Sequence, residues 1–147
     1  MFLSIVMEAV ALRLKPQQDL KTNLDDFVRK QQIEAACILT CVGSLSEANL
    51  RYANQPEGTA QIGQFEIVSL TGVMSMHGSH YHIAIADSTG HTLGGHLLKG
   101  CLIYTTAEII VGILPQYRFR REFDSASGFR ELAIESIAAS NCQNPLS

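Results

Sequence analysis

Hydrophobic and polar residues alternate with a period of two along most of this chain, and with a helical period once. From Glu8 to Leu14, Val10, Leu12 and Leu14 oppose Ala9, Ala11 and Arg13, which predicts a first strand ending before Pro16. Leu20, Leu24, Phe27 and Val28 then fall on one helix face. Asp19 stands where it can cap that helix, and Arg29 and Lys30 suit the negative end of its dipole. The apolar run Ala35 to Val42 predicts a buried strand, broken at Gly43-Ser44, and Glu47 to Ala53 alternates again. Residues 54–63, with Pro56, Gly58 and Gly63, read as loop. Gln64 to Leu70 reads as a strand with Phe65, Ile67 and Ser69 on one face, followed by a less regular connection over 72–79. Strands are also predicted within 101–114 and over Tyr117 to Phe123, and Phe129 to Glu135 reads as a short terminal element. Many strands and one clear helix make an α+β fold: a mostly antiparallel sheet with one main helix packed on it. One domain is expected over 7–135, with flexible ends at 1–6 and 136–147.

The most informative alternation is at 80–96. Tyr81, Ile83 and Ile85 point one way, and His80, His82, Ala84 and Ala86 the other. Asp87-Ser88-Thr89-Gly90 is turn chemistry, and the chain returns through His91, Thr92 and Leu93 to Gly94-Gly95-His96. Such a hairpin brings His96 beside the strand that carries His80 and His82. Three imidazoles on one face suit Zn²⁺ or a related divalent ion, with a fourth position left for water or a ligand. Gly94 and Gly95 are then candidate cofactor-binding positions, where backbone or ligand can approach closely. The bland alternative is a set of polar residues on a solvated face or in a seam between subunits. His77 and His91 read as surface histidines. Glu108, in an otherwise apolar strand, is the candidate catalytic acid or base, against the alternative of a carboxylate satisfied structurally. Tyr117 to Phe123 alternates aromatic and charged residues, which fits anion binding or a half-buried strand with a solvated face.

Charge and composition narrow this further. A net charge of −3 argues against autonomous binding to a nucleic-acid backbone. No apolar stretch is long enough to cross a bilayer, and no secretory leader is evident, so no membrane association and a cytoplasmic location are expected. The four cysteines form no C-x-x-C pair; Cys37 and Cys41 are expected to be buried thiols.

Three segments resemble the plants-and-prokaryotes-conserved (PPC) domain: Gly43-Ser44-Leu45 with a strand ending Leu50-Arg51-Tyr52; Gly63 to Gly72, similar to the family's G-R-F-E-I-x-S-L-x-G; and His80-x-His82 through Asp87, Gly90 and Gly94-Gly95-His96-Leu97 to Gly100 and Thr106-Ala107-Glu108-Ile109. The resemblance runs from about Met7 to about Glu135. It implies a compact α+β domain that assembles as a homotrimer, of the stand-alone prokaryotic type. The AT-hook that precedes the domain in plants is not found here, and Gln64 stands where the family motif has arginine. The family's DNA-binding label therefore comes by resemblance alone. Two classes of function stay open: a trimeric binding or regulatory module with a three-histidine metal site and a protein or small-ligand partner, or a metal-dependent lyase or hydrolase acting on a small molecule.

Overall fold

The computed structural model describes residues 6–137. The element order is β1 (Glu8–Leu14), α1 (Leu20–Lys30), β2 (Ala36–Arg51), β3 (Thr59–Ser75), β4 (Gly78–Ala86), β5 (Thr92–Leu97), β6 (Leu102–Ile113), β7 (Tyr117–Asp124) and β8 (Phe129–Ser136). Six strands form one antiparallel sheet in the order β1-β6-β2-β3-β4-β5, and β5 also pairs with β2, closing β2 to β5 into a small barrel. Closure turns one face of each strand inward, which is why alternation dominates the sequence. Leu45, Leu50, Tyr81, Ile83, Ile85 and Leu97 on these strands, with Ile103 and Ile109 of β6, are buried in the core. The expected α+β arrangement is what forms, with β7 and β8 as a separate two-stranded ribbon rather than part of the main sheet.

The helix begins where the capping signal places it. Asp19 Oδ1 accepts from Thr22 N at 2.7 Å, and its other oxygen accepts from Gly100 N at 2.6 Å. One carboxylate thus caps α1 and pins the link between β5 and β6. Leu20, Leu24 and Val28 are buried against the sheet.

The strands are longer than the punctuation of the sequence suggests. Gly43-Ser44 does not end β2, which runs on to Arg51. A Cβ at Gly43 would lie 2.2 Å from Thr106 O, so the glycine marks a close approach of β6, not a turn. The apolar run before it is not wholly buried: Leu39 and Val42 are exposed on the outer face. β3 starts at Thr59 inside the expected loop and continues through the supposedly irregular stretch to Ser75, before a tight turn into β4. A register shift between Ile67 and Ser69 reverses the facing expected there, so that Leu70 is buried and Ser69 exposed. Cys41 and Cys101 are buried, and burial pushes both thiols up to about 11, leaving them protonated packing groups; Cys37 is only half-buried. Cys142 and the expected flexible ends, apart from Val6, Ser136 and Ile137, lie outside the described residues.

The ribbon is tied down at its start. Phe119, itself buried, donates its N–H to Glu34 O at 2.9 Å and accepts from Ser75 Oγ at 3.0 Å. Glu34 also meets the Arg118 guanidinium at 3.4 Å and the His77 ring at 2.9 Å. These contacts hold β7 beside the β3–β4 turn and so beside the first histidine of β4.

Candidate metal centre

The Asp87 turn sets the register of the histidine hairpin. Asp87 Oδ1 accepts from Thr89 N at 2.8 Å, Thr89 Oγ1 at 2.7 Å and His91 N at 3.0 Å. The bonds to Thr89 and His91 hold its carboxyl below the usual aspartate range. With that turn fixed, His82 pairs directly with His96, and His96 with Arg51 on the next strand round the barrel. Tyr81, Ile83 and Ile85 occupy the interior, which forces His80 and His82 onto the outer face.

The three imidazoles form a compact triangle. Ring centroids are 4.8 Å apart for His80 and His82, 4.9 Å for His80 and His96, and 5.7 Å for His82 and His96. His80 Nε2 and His82 Nε2 face each other at 3.2 Å. Two nitrogens at zinc–nitrogen distances on a tetrahedral ion are about 3.3–3.4 Å apart, so this pair already has ligand spacing. One candidate donor atom from each ring lies within 4.8 Å of the other two. His96 Nδ1 is buried without a hydrogen-bond partner among the described residues, a deficit that a bound ion or its second shell would relieve. The donor set therefore fits a divalent cation.

The electrostatics favour the neutral form of His80 and His96, the form that binds metal. Burial lowers the His80 pKa, helped by the charges of His82, Arg121 and Arg51 against the opposing pull of Glu131. Burial lowers that of His96 to about 4, reinforced by His80, Arg51, His82 and Lys21. The unfolded imidazole titrates near 6.5. Between pH 6.5 and about 4 the unfolded chain therefore binds a proton that native His96 refuses, and stability falls as pH falls through that window. The urea midpoint of metal-free protein is expected to be lower at pH 4.5 than at pH 7, with a shallower decline in His96→Ala. An equally steep decline in the variant would remove His96 as the cause.

Behind β4, Asp25 of α1 accepts from Tyr81 Oη at 3.1 Å, from Ser79 Oγ, and from Lys21 Nζ at 2.6 Å. This network fixes the residues flanking His80 to the helix. Burial raises the Tyr81 pKa, so the phenol stays a donor.

Beside the triangle lies a cavity of about 500 Å³. The barrel contributes Arg51, Asn54, Ser79, His80 and His96, and the ribbon contributes Arg121, Phe129, Arg130 and Glu131. A larger depression of about 610 Å³, lined by Phe27, Ile33, Ile113, Leu114 and Tyr117 among others, contains none of the three histidines.

The other expected site residues are placed differently. Gly94 and Gly95 let β5 approach its neighbours: a Cβ would lie 2.8 Å from Ile83 O at the first and 2.8 Å from Arg51 O at the second. Glu108 is exposed on β6, cross-strand from Arg13 and Val42, with β2 and β3 between it and β4. The carboxylate that reaches the cavity is Glu131. His77 and His91 are exposed. The signal for the ribbon's part was present but subtle: along β7, Tyr117, Phe119 and Phe123 share a parity, and the residue between the last two is Arg121. A cation at an aromatic-face position is an anomaly that alternation alone exposes.

Residues 4–115 match the Plants and Prokaryotes Conserved (PCC) domain. The chain belongs to this family. A hypothetical protein from Salmonella cholerae-suis (Salmonella enterica) shares the fold of this PCC domain with a TM-score of 0.88 and 41% identity, over 90% of this chain and 96% of that one. A metal-containing protein from Archaeoglobus fulgidus superposes with a TM-score of 0.72 and 27% identity, over 86% of this chain and 93% of that one. In sequence, 134 residues are 48% identical to part of the bifunctional protein GlmU of Synechococcus sp. (strain JA-3-3Ab), covering 91% of this chain and 22% of that protein. The PCC chain thus spans about a fifth of that relative's length. The family match ends at residue 115, just before the ribbon that completes the cavity. Among the described residues no helix is long and apolar enough to cross a membrane.

Proposed function

We propose that this PCC domain is a metal-holding binding or regulatory module, in which His80, His82 and His96 bind a divalent ion, with zinc the expected occupant. The observation that carries the reading is the ligand-spaced Nε2 pair at 3.2 Å with His96 closing the triangle. The metal-containing Archaeoglobus relative supports it. A divalent ion held by three imidazoles supplies Lewis acidity and an open coordination position. Here that position would face the cavity walled by the ribbon.

The module is further proposed to act as a cytoplasmic homotrimer whose partner is a protein or small ligand rather than bare DNA. The outer faces of β2 and β3 support self-association. Val42 and Val68 are 62% and 58% exposed, and the pairing of Gly43 with Ile67 sets them opposite each other on neighbouring strands. Ile62, on the same strand as Val68, is also exposed. Apolar side chains clustered on an outer sheet face are what a subunit interface covers. Free thiols at Cys37, Cys41 and Cys101 suit a reducing compartment.

Cobalt(II) reports the coordination directly. Added to metal-free protein, it is expected to give the intense visible bands of a four-coordinate nitrogen-donor site, and in His96→Ala only the weak bands of the hydrated ion. Sedimentation of the same samples is expected to give three times the chain mass; a monomer at micromolar concentration would contradict the trimer.

A further inference from the structure

The geometry points to a second recognition element in the same cavity: an oxyanion clamp formed by Arg51, Arg121 and Arg130, which binds a small molecule bearing carboxylate or phosphate groups. It goes beyond the metal site and does not require it, because the three arginines line the cavity and none of them is among the candidate metal ligands.

Three cations line the cavity against one carboxylate, Glu131, leaving a local excess of two positive charges in a chain whose net charge is −3. They arrive from separate parts of the fold. Arg51 ends β2 in the barrel, while Arg121 and Arg130 come from the two strands of the ribbon. Arg130 pairs with Phe123, two positions from Arg121 on the same strand face, so the register sets both arginines on one side of the ribbon. Bringing like charges together is unfavourable unless something anionic lies between them.

Their hydrogen-bonding capacity is only partly used. Arg121 Nη2 is buried without a partner among the described residues. Arg51 uses Nη1 on Gln55 O at 3.4 Å, and Arg130 uses Nη1 on Arg121 O at 3.1 Å. Each of these backbone contacts orients a guanidinium and leaves other N–H groups for a ligand. The planar fork of donors matches the two oxygens of a carboxylate or phosphate.

Shape selects the size of the ligand. The volume, about 500 Å³, is that of a small-molecule site. The arginines wall a concavity rather than run along an open ridge, so they suit a compact anion and not an extended nucleic-acid backbone. Two of the three lie beyond the family-matched segment, so the choice of ligand resides largely in the ribbon and not in the shared PCC fold.

The test is isothermal titration calorimetry of the metal-free full chain with inorganic phosphate and, separately, succinate, at constant ionic strength held with chloride. Saturable one-site binding of at least one probe is expected, with affinity at least tenfold lower in Arg121→Gln and in Arg130→Gln. The two probes separate phosphate from carboxylate preference. Arg130 is exposed, so its variant is expected to fold even where loss of the half-buried Arg121 disturbs the ribbon. No saturable heat with either probe, or unchanged affinity in Arg130→Gln, would overturn the clamp. Zinc uptake measured on the same preparations keeps the two readings apart: anion binding without zinc uptake removes the metal site alone, and zinc uptake without anion binding removes the clamp alone.

Discussion

Metal-free protein titrated with zinc is expected to melt roughly 5–10 °C higher once free zinc exceeds the dissociation constant about 100-fold. A ligand that binds only the native state stabilises it by about 2.7 kcal/mol at that ratio, and a chain of this length gains a few degrees for each kcal/mol. His82→Ala is the informative control. The His82 side chain is exposed, so its truncation leaves the core intact and is expected to change the metal-free melting temperature little. The same variant loses the 3.2 Å nitrogen pair, and its zinc-induced rise should vanish. An equal rise in both proteins would place the stabilising zinc elsewhere.

The second large effect belongs to Gly43. Alanine there is expected to cost about 2–4 kcal/mol, a fall in melting temperature of roughly 10 °C. Its Cβ would sit 2.2 Å from Thr106 O and 2.7 Å from Ala107 Cα, both backbone atoms of β6. Neither can turn aside as a side-chain tip would, so β6 must move away from β2 and disturb a ladder that crosses the core. Gly90→Ala provides the comparison. Nothing lies within 4 Å of its added Cβ, and only the positive φ of 82° opposes it, at about 1 kcal/mol. Equal losses at the two sites would contradict the close-approach reading of Gly43.

Local signals carried most of the histidine hairpin. Alternation over 81–85, the Asp87 turn and the return to His96 each act over a few residues, and together they determine which imidazoles meet. The helix was equally legible, because its cap and its apolar face are both written within one short segment. The strand lengths were not. Gly43 resembles punctuation in the sequence, yet its meaning depends on a strand more than sixty residues away. The facing of Ser69 failed for a similar reason, since a bulge inserts one residue without any compositional mark.

The cavity was the least legible part of the site. Arg51 is distant in sequence from Arg121 and Glu131, and it is the Glu34 and Ser75 contacts to β7 that set the ribbon carrying those two beside the barrel. Glu108 interrupts an apolar strand, but that strand has an outer face, and there a carboxylate is simply solvated. Gly94 and Gly95 likewise make room, though for neighbouring backbone. A charged residue that shares its parity with a buried aromatic, as Arg121 does with Phe119, says more about a site than a charge on an outer strand face, as at Glu108.

The most direct measurement is the zinc content of the purified full chain after loading and removal of unbound ion, with His82→Ala treated identically. The three-imidazole site predicts about one zinc per chain in the wild type and close to none in the variant. Substoichiometric zinc in the wild type, or equal content in both proteins, would contradict it.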